Sequence, residues 1–203
     1  MAVSHNHGRV AERSVGERLQ HLAAAANPVF AVGSILVPLA FVAASVLASS
    51  AQLLFYTHVA AGAVWFGFAL IFPAVIGPTL GGLDRETASA VTTALTPKVV
   101  FFLLGLSLTT VLSGTLLLSS GLGLGYGFSG RWPTLSLGIG WGLCAFGLVG
   151  PNRIHLRAYY ESRLEEPDPE RLESIEKTNL VVGLFEAAVM LGVIVLMTGL
   201  RLG

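Results

Sequence analysis

Leu53-Leu-Phe-Tyr-Thr-His58-Val-Ala-Ala-Gly62-Ala-Val-Trp65-Phe-Gly67-Phe-Ala-Leu-Ile-Phe-Pro73 is an apolar run without a single Asp, Glu, Lys or Arg. At about 1.5 Å per residue it is long enough to cross the roughly 30 Å hydrocarbon core of a bilayer as one helix. One titratable side chain, His58, lies inside it, and a second such run near the C-terminus holds Glu186. An ionisable group at that depth is costly unless something specific compensates it, so both positions are candidate functional residues.

Outward from this stretch, five spans of about 20 mostly apolar residues can be read, covering residues 28–48, 53–80, 97–119, 133–150 and 179–200. Pro73 and Pro78 kink or end the second. Thr96-Pro97 reads as N-cap and first helical residue of the third, and Pro151-Asn152-Arg153 closes the fourth. Asp84 caps a short surface helix between the second and third spans, and Asp168-Pro169-Glu170 launches a helix that feeds the fifth. The connection from Gly121 to Trp132 is glycine-rich, with Tyr126, Phe128 and Trp132 suited to a membrane interface. Residues 1–26 read as a polar tail, and the run after it exceeds the length of a cleaved signal sequence. The expected fold is all-α: an integral membrane helical bundle of five transmembrane helices in one domain.

Composition agrees. Of 203 residues, 53% are hydrophobic and 12% charged, and mean hydropathy is +0.72; soluble domains carry about 25% charged residues. Acidic and basic side chains balance at 12 each with no basic face, which argues against nucleic-acid binding. Arg9, Arg13, Arg18, Arg85, Lys98, Arg153, Arg157, Arg163, Arg171 and Lys177 fall on one side of the five spans, and only Arg131 and Arg201 on the other. Basic residues concentrate on the cytoplasmic side, so the chain is expected to sit in the plasma membrane with its N-terminus inside and its C-terminus outside. The single cysteine, Cys144, excludes an intramolecular disulfide, and the lack of Cys-x-x-Cys-His excludes covalent haem attachment.

His58 shares a helical face with Gly62, Trp65 and Ala69. A histidine one turn from a glycine leaves room for a flat macrocycle against the imidazole; the same pair equally serves close helix packing. Met197 lies at a depth similar to His58, as a second axial ligand or as a gap-filling side chain. Glu186 lies nearer the other membrane face, where Lys98, Arg153, Asn152 and Asn179 are candidate partners. A proton-relay, ion or ligand role for Glu186, Lys98 and Arg153 stands beside a buried hydrogen bond or ion pair, with Lys98 and Arg153 as interfacial anchors. Gly138, Gly142 and Ala145 form a small-residue face on the fourth span, suited to close helix packing.

The stretch from His58 through Trp65 to Gly67 resembles the His-x6-Trp-x-Gly signature of a family of small membrane proteins. That family includes copper resistance D-like proteins and the HemJ-type protoporphyrinogen oxidase. The likeness covers about residues 52–200 and continues loosely through Ser113-Gly114-Thr115-Leu116-Leu117 and Lys177-Thr178-Asn179. It implies haem b bound by His58, with Trp65 and Gly67 as packing positions. The acidic-proline continuation expected of the oxidase after Asn179 is absent. Three functions follow as expectations. One is a haem-binding redox protein working with an electron partner; the second is a transporter of copper or another small solute with Glu186 as coupling group. The third is an accessory subunit of a larger membrane complex, and assembly into a homo-oligomer is open in each case.

Overall fold

The computed structural model describes residues 15–118, 131–164, 166 and 168–202, and every element among them is helical. Helix α1 (Val15–Ala26) leads into α2 (Pro28–Leu47), and a tight turn leads into α3 (Ala51–Ile71). A π-helical turn (Phe72–Ile76) and the short α4 (Gly77–Gly81) continue α3. Then come α5 (Arg85–Leu118), α6 (Arg131–Val149), α7 (Pro151–Glu161) and α8 (Pro169–Leu202). The glycine-rich connection and the first part of the expected tail lie outside the described residues.

Local chemistry sets the boundaries. Asn27, at φ 75°, accepts the Val29 N–H on its side chain and starts α2 with Pro28 as first helical residue. Ser50 accepts the Leu53 N–H and starts α3. Asp84 accepts the Thr87 N–H at 3.0 Å, and this bond holds its carboxyl below the usual aspartate range. Asp168 accepts the Glu170 and Arg171 N–H groups at the start of α8. Glu161 fastens that corner, accepting from the Asp168 N–H and pairing with Arg171 at 3.4 Å.

Two expected boundaries differ. Thr96-Pro97 does not open a helix, because α5 begins at Arg85 and passes through Pro97 with both residues buried. Proline removes one backbone bond, and the packed neighbours of Pro97 hold the helix together across the gap. The second half of the polar tail is not loose either. Its alanine-rich α1 docks Leu22 and Ala26 against Ala31, Phe101 and Tyr159.

Five stretches are long and apolar enough to cross a membrane, making this a multi-pass membrane protein. Helix α5 is the central one: half of its apolar window is buried, against 17–22% in the other four. The remaining surface is apolar, with Val29, Leu36, Val181, Phe185 and Val195 more than half exposed. Hydrocarbon tolerates such an exterior and water does not. Inside, Ala61, Trp65, Leu106, Val111, Leu143, Cys144 and Met190 form the main core where α3, α5, α6 and α8 meet. Helices α3, α5, α6 and α8 alternate in direction, so the bundle has an Ala51 end, where α3 begins, and an Arg85 end, where α5 begins.

The tightest approach is α2 on α5. A methyl group on Gly105 would collide with the Ser34 carbonyl and come within 3.0 Å of the Ile35 Cα. Backbone cannot rotate aside as a side chain can. Gly105→Ala is therefore expected to destabilise the protein by about 3 kcal/mol or more, read as a lower thermal midpoint in detergent. Gly33→Ala, where the added methyl meets nothing within 4 Å, should be neutral or stabilising by about 0.5–1 kcal/mol.

Candidate functional site

His58 projects from α3 toward α5, where its Nδ1 lies 2.8 Å from the Thr110 carbonyl oxygen and 3.3 Å from Ser113 Oγ. A carbonyl only accepts, so Nδ1 carries the ring proton and donates it. Ser113 in turn donates to the Thr109 and Thr110 carbonyls at 2.5 and 3.0 Å. The tautomer leaves Nε2 as a bare lone pair with no hydrogen-bond partner among the described residues.

The imidazole forms part of the wall of a cavity of about 500 Å³ bounded by α3, α5, α6 and α8 at the Ala51 end. That volume lies within the range of small-molecule and cofactor sites. Its walls are overwhelmingly apolar, and Gly62, Trp65, Met190 and Met197 line it together with His58. Val59 and Ile194, both exposed on the flank of the bundle, complete the wall on one side. The structure thus brings His58, Gly62, Trp65 and Met197 to one place. Gly62 faces the cavity, and a methyl there would also press on Thr110 Cγ2 at 3.3 Å.

Four contributors were not visible in the primary structure as site residues. Thr110 and Ser113 orient the imidazole. Gly114 gives it room, since a methyl at Gly114 would stand 3.0 Å from His58 Cε1 and 3.3 Å from Nδ1. Ser136 on α6 is 1% exposed, lines the cavity and has a hydroxyl without a partner among the described residues. The serine, threonine and glycine pattern of α5 was the available signal; it reads as helix packing until the register against α3 is known.

Glu186 is also buried, at 6% exposure, and its carboxyl has a defined setting. The Trp65 indole of α3 lies near it, with no hydrogen bond between the two among the described residues. Gly147 on α6 supplies the space, its nearest methyl position 3.8 Å from Oε1. Lys98 and Arg153 are exposed, and neither pairs with Glu186 among the described residues. Trp65 thus lines the cavity and lies near the carboxyl. Cys144 is buried in the core with its thiol 3.8 Å from Ser107 Oγ.

Adding a methyl at Gly114 forces the imidazole out of its bond to Thr110. Gly114→Ala is expected to cost about 1–3 kcal/mol and to change the ¹⁵N shifts of the His58 ring. Gly192→Ala, whose methyl meets nothing within 4 Å, should leave those shifts unaltered.

No protein-family model, no curated protein and no solved structure matches this chain.

Proposed function

We propose that the cavity binds haem b with His58 Nε2 as an axial iron ligand, and that the protein is a membrane redox carrier. The observation that carries this reading is a tautomer-fixed imidazole presenting an unpartnered nitrogen to a large apolar cavity. Ligating histidines donate their other ring N–H to a carbonyl or carboxylate in this way, which raises ligand basicity and fixes orientation. Among the described residues no three His, Cys, Asp or Glu side chains converge. A porphyrin needs no such cluster, because it brings four nitrogens of its own and asks the protein for one or two axial donors.

The residues present fit that group. His58 would supply one axial ligand, Met197 is placed on the wall for a second, and Gly62, Trp65 and Val193 offer apolar surface to a macrocycle. When bound, haem supplies one-electron exchange, with a potential raised by a methionine ligand and by burial. The chain itself orients the imidazole and excludes water with the apolar walls of the cavity. The basic-residue asymmetry supports an N-terminus on the cytoplasmic side of the plasma membrane. Electrons would then come from a separate redox partner or a larger membrane complex.

A second reading rests on the two thioethers. Met190 and Met197 line the cavity with His58, and a histidine with soft sulfur ligands is a donor set for Cu(I). Absorption separates the two. Protein purified from haem-replete cells should show a Soret band that shifts on dithionite reduction, and His58→Ala should lower haem occupancy by about tenfold or more. Colourless protein would overturn the haem assignment. Stoichiometric copper in that colourless protein, lost in both His58→Ala and Met190→Ala, would establish the second reading.

A further inference from the structure

A second cavity, of about 120 Å³, lies at the Arg85 end between α5, α7, α8 and the π-helical turn. Its lining differs in kind from that of the first. Thr92 and Thr96 of α5, His155 of α7 and Asn179 of α8 all face it. None of these four side chains has a hydrogen-bond partner among the described residues. His155 and Thr96 are nine-tenths or more buried, at 9% and 5% exposure. The imidazole ring packs edge-on against Phe72, with centroids 5.1 Å apart. Buried polar groups of this kind must bond to something, and a cavity with room for several waters and convergent polar walls holds water. Arg85 and Glu176, both exposed, line the same cavity with opposite charges, so neither a cation nor an anion is favoured over neutral water.

One face of α8 connects this cavity to the rest of the bundle. Asn179, Glu186, Met190, Val193 and Met197 follow one another at helical spacing, the first in the small cavity and the last three in the large one. Glu186 lies between them, about 10 Å along the axis from Asn179. The intervening position is Gly183, and the ring of Pro73 sits against it, leaving only 2.9 Å to a methyl there. Phe72 and Pro73 belong to the π-helical turn, a local irregularity found mostly where helices serve a function. The turn thus packs on α8 at the position between Asn179, which lines the small cavity, and Glu186.

We propose that the small cavity is a hydrated proton-access site for Glu186, and that the Phe72-Pro73 turn seated on Gly183 is its gate. The proton exchanged passes between the Glu186 carboxyl and a cavity water; no electron moves. Nothing in this assignment depends on what the large cavity binds.

The test is hydrogen–deuterium exchange of the Glu186 carboxyl in nanodiscs, followed in the infrared as the C=O band that disappears in Glu186→Gln. Rapid exchange in the unaltered protein is expected to slow at least tenfold in Thr96→Leu and in Asn179→Leu. Val181→Leu, on the lipid-facing side of α8, should exchange normally. Equal rates in all four proteins would overturn the proposal, and so would the absence of a protonated-carboxyl band at neutral pH. Should the leucine variants fail to fold, Thr96→Cys in a Cys144→Ser background provides a separate reading. In sealed vesicles a small water-soluble thiol reagent should modify that cysteine from one face only and should spare Val181→Cys. A Thr96→Cys thiol no more reactive than Val181→Cys would overturn hydration of the cavity. Failure here leaves the Soret band untouched, so the two assignments fall separately.

Discussion

The hydrogen bond from His58 Nδ1 to the Thr110 carbonyl is the constraint around which the site is arranged. It crosses from α3 to the central helix, and because a carbonyl cannot donate, it assigns the ring proton without ambiguity. The remaining nitrogen is then an acceptor in an apolar, low-dielectric interior, where an unsatisfied polar atom is expensive. Everything near the ring follows from accommodating that geometry: a glycine at 114 for clearance, Ser113 as a second polar neighbour, and an apolar cavity on the free side. A histidine serving only helix packing would be content with both nitrogens engaged. This one is not.

Glu186 solves the same problem differently. Its carboxyl is buried near the Trp65 indole and Gly147, with no cation paired to it among the described residues. A full ion pair at that depth would require two desolvated charges, whereas an uncharged acid among small and aromatic neighbours requires none. Helix α8 unites the arrangement, presenting a polar stripe to one cavity, the acid in the middle, and two methionines to the other.

Much of the fold was legible because membrane insertion imposes a local rule: each crossing must satisfy its own backbone bonds over a minimum length of apolar sequence. The five runs, the caps at Asp84 and Asp168 and the depth match of His58 with Met197 are consequences of that rule and of helical periodicity. Pro97 broke the reading because proline is a boundary signal in water but tolerable where neighbouring helices enclose it. Lys98 and Arg153 were reasonable partners for Glu186 by depth alone; both are exposed, and neither pairs with the carboxyl among the described residues. Gly62 and Gly114 illustrate the limit well. Both are glycines at about the level of His58, and only the relative rotation of α3 and α5 decides which one clears the ring.

By itself, then, the primary structure determined which segments cross, how deep each polar side chain lies and which faces of each helix hold them together, since these depend on rise and angle along a single helix. Which helix stands opposite which face was decided by tertiary packing. The close approach at Gly105, the seat of Pro73 on Gly183 and the bond from His58 to Thr110 join residues far apart in the chain. Their existence depends on how helix surfaces interlock, a property of pairs of helices that no single periodicity encodes.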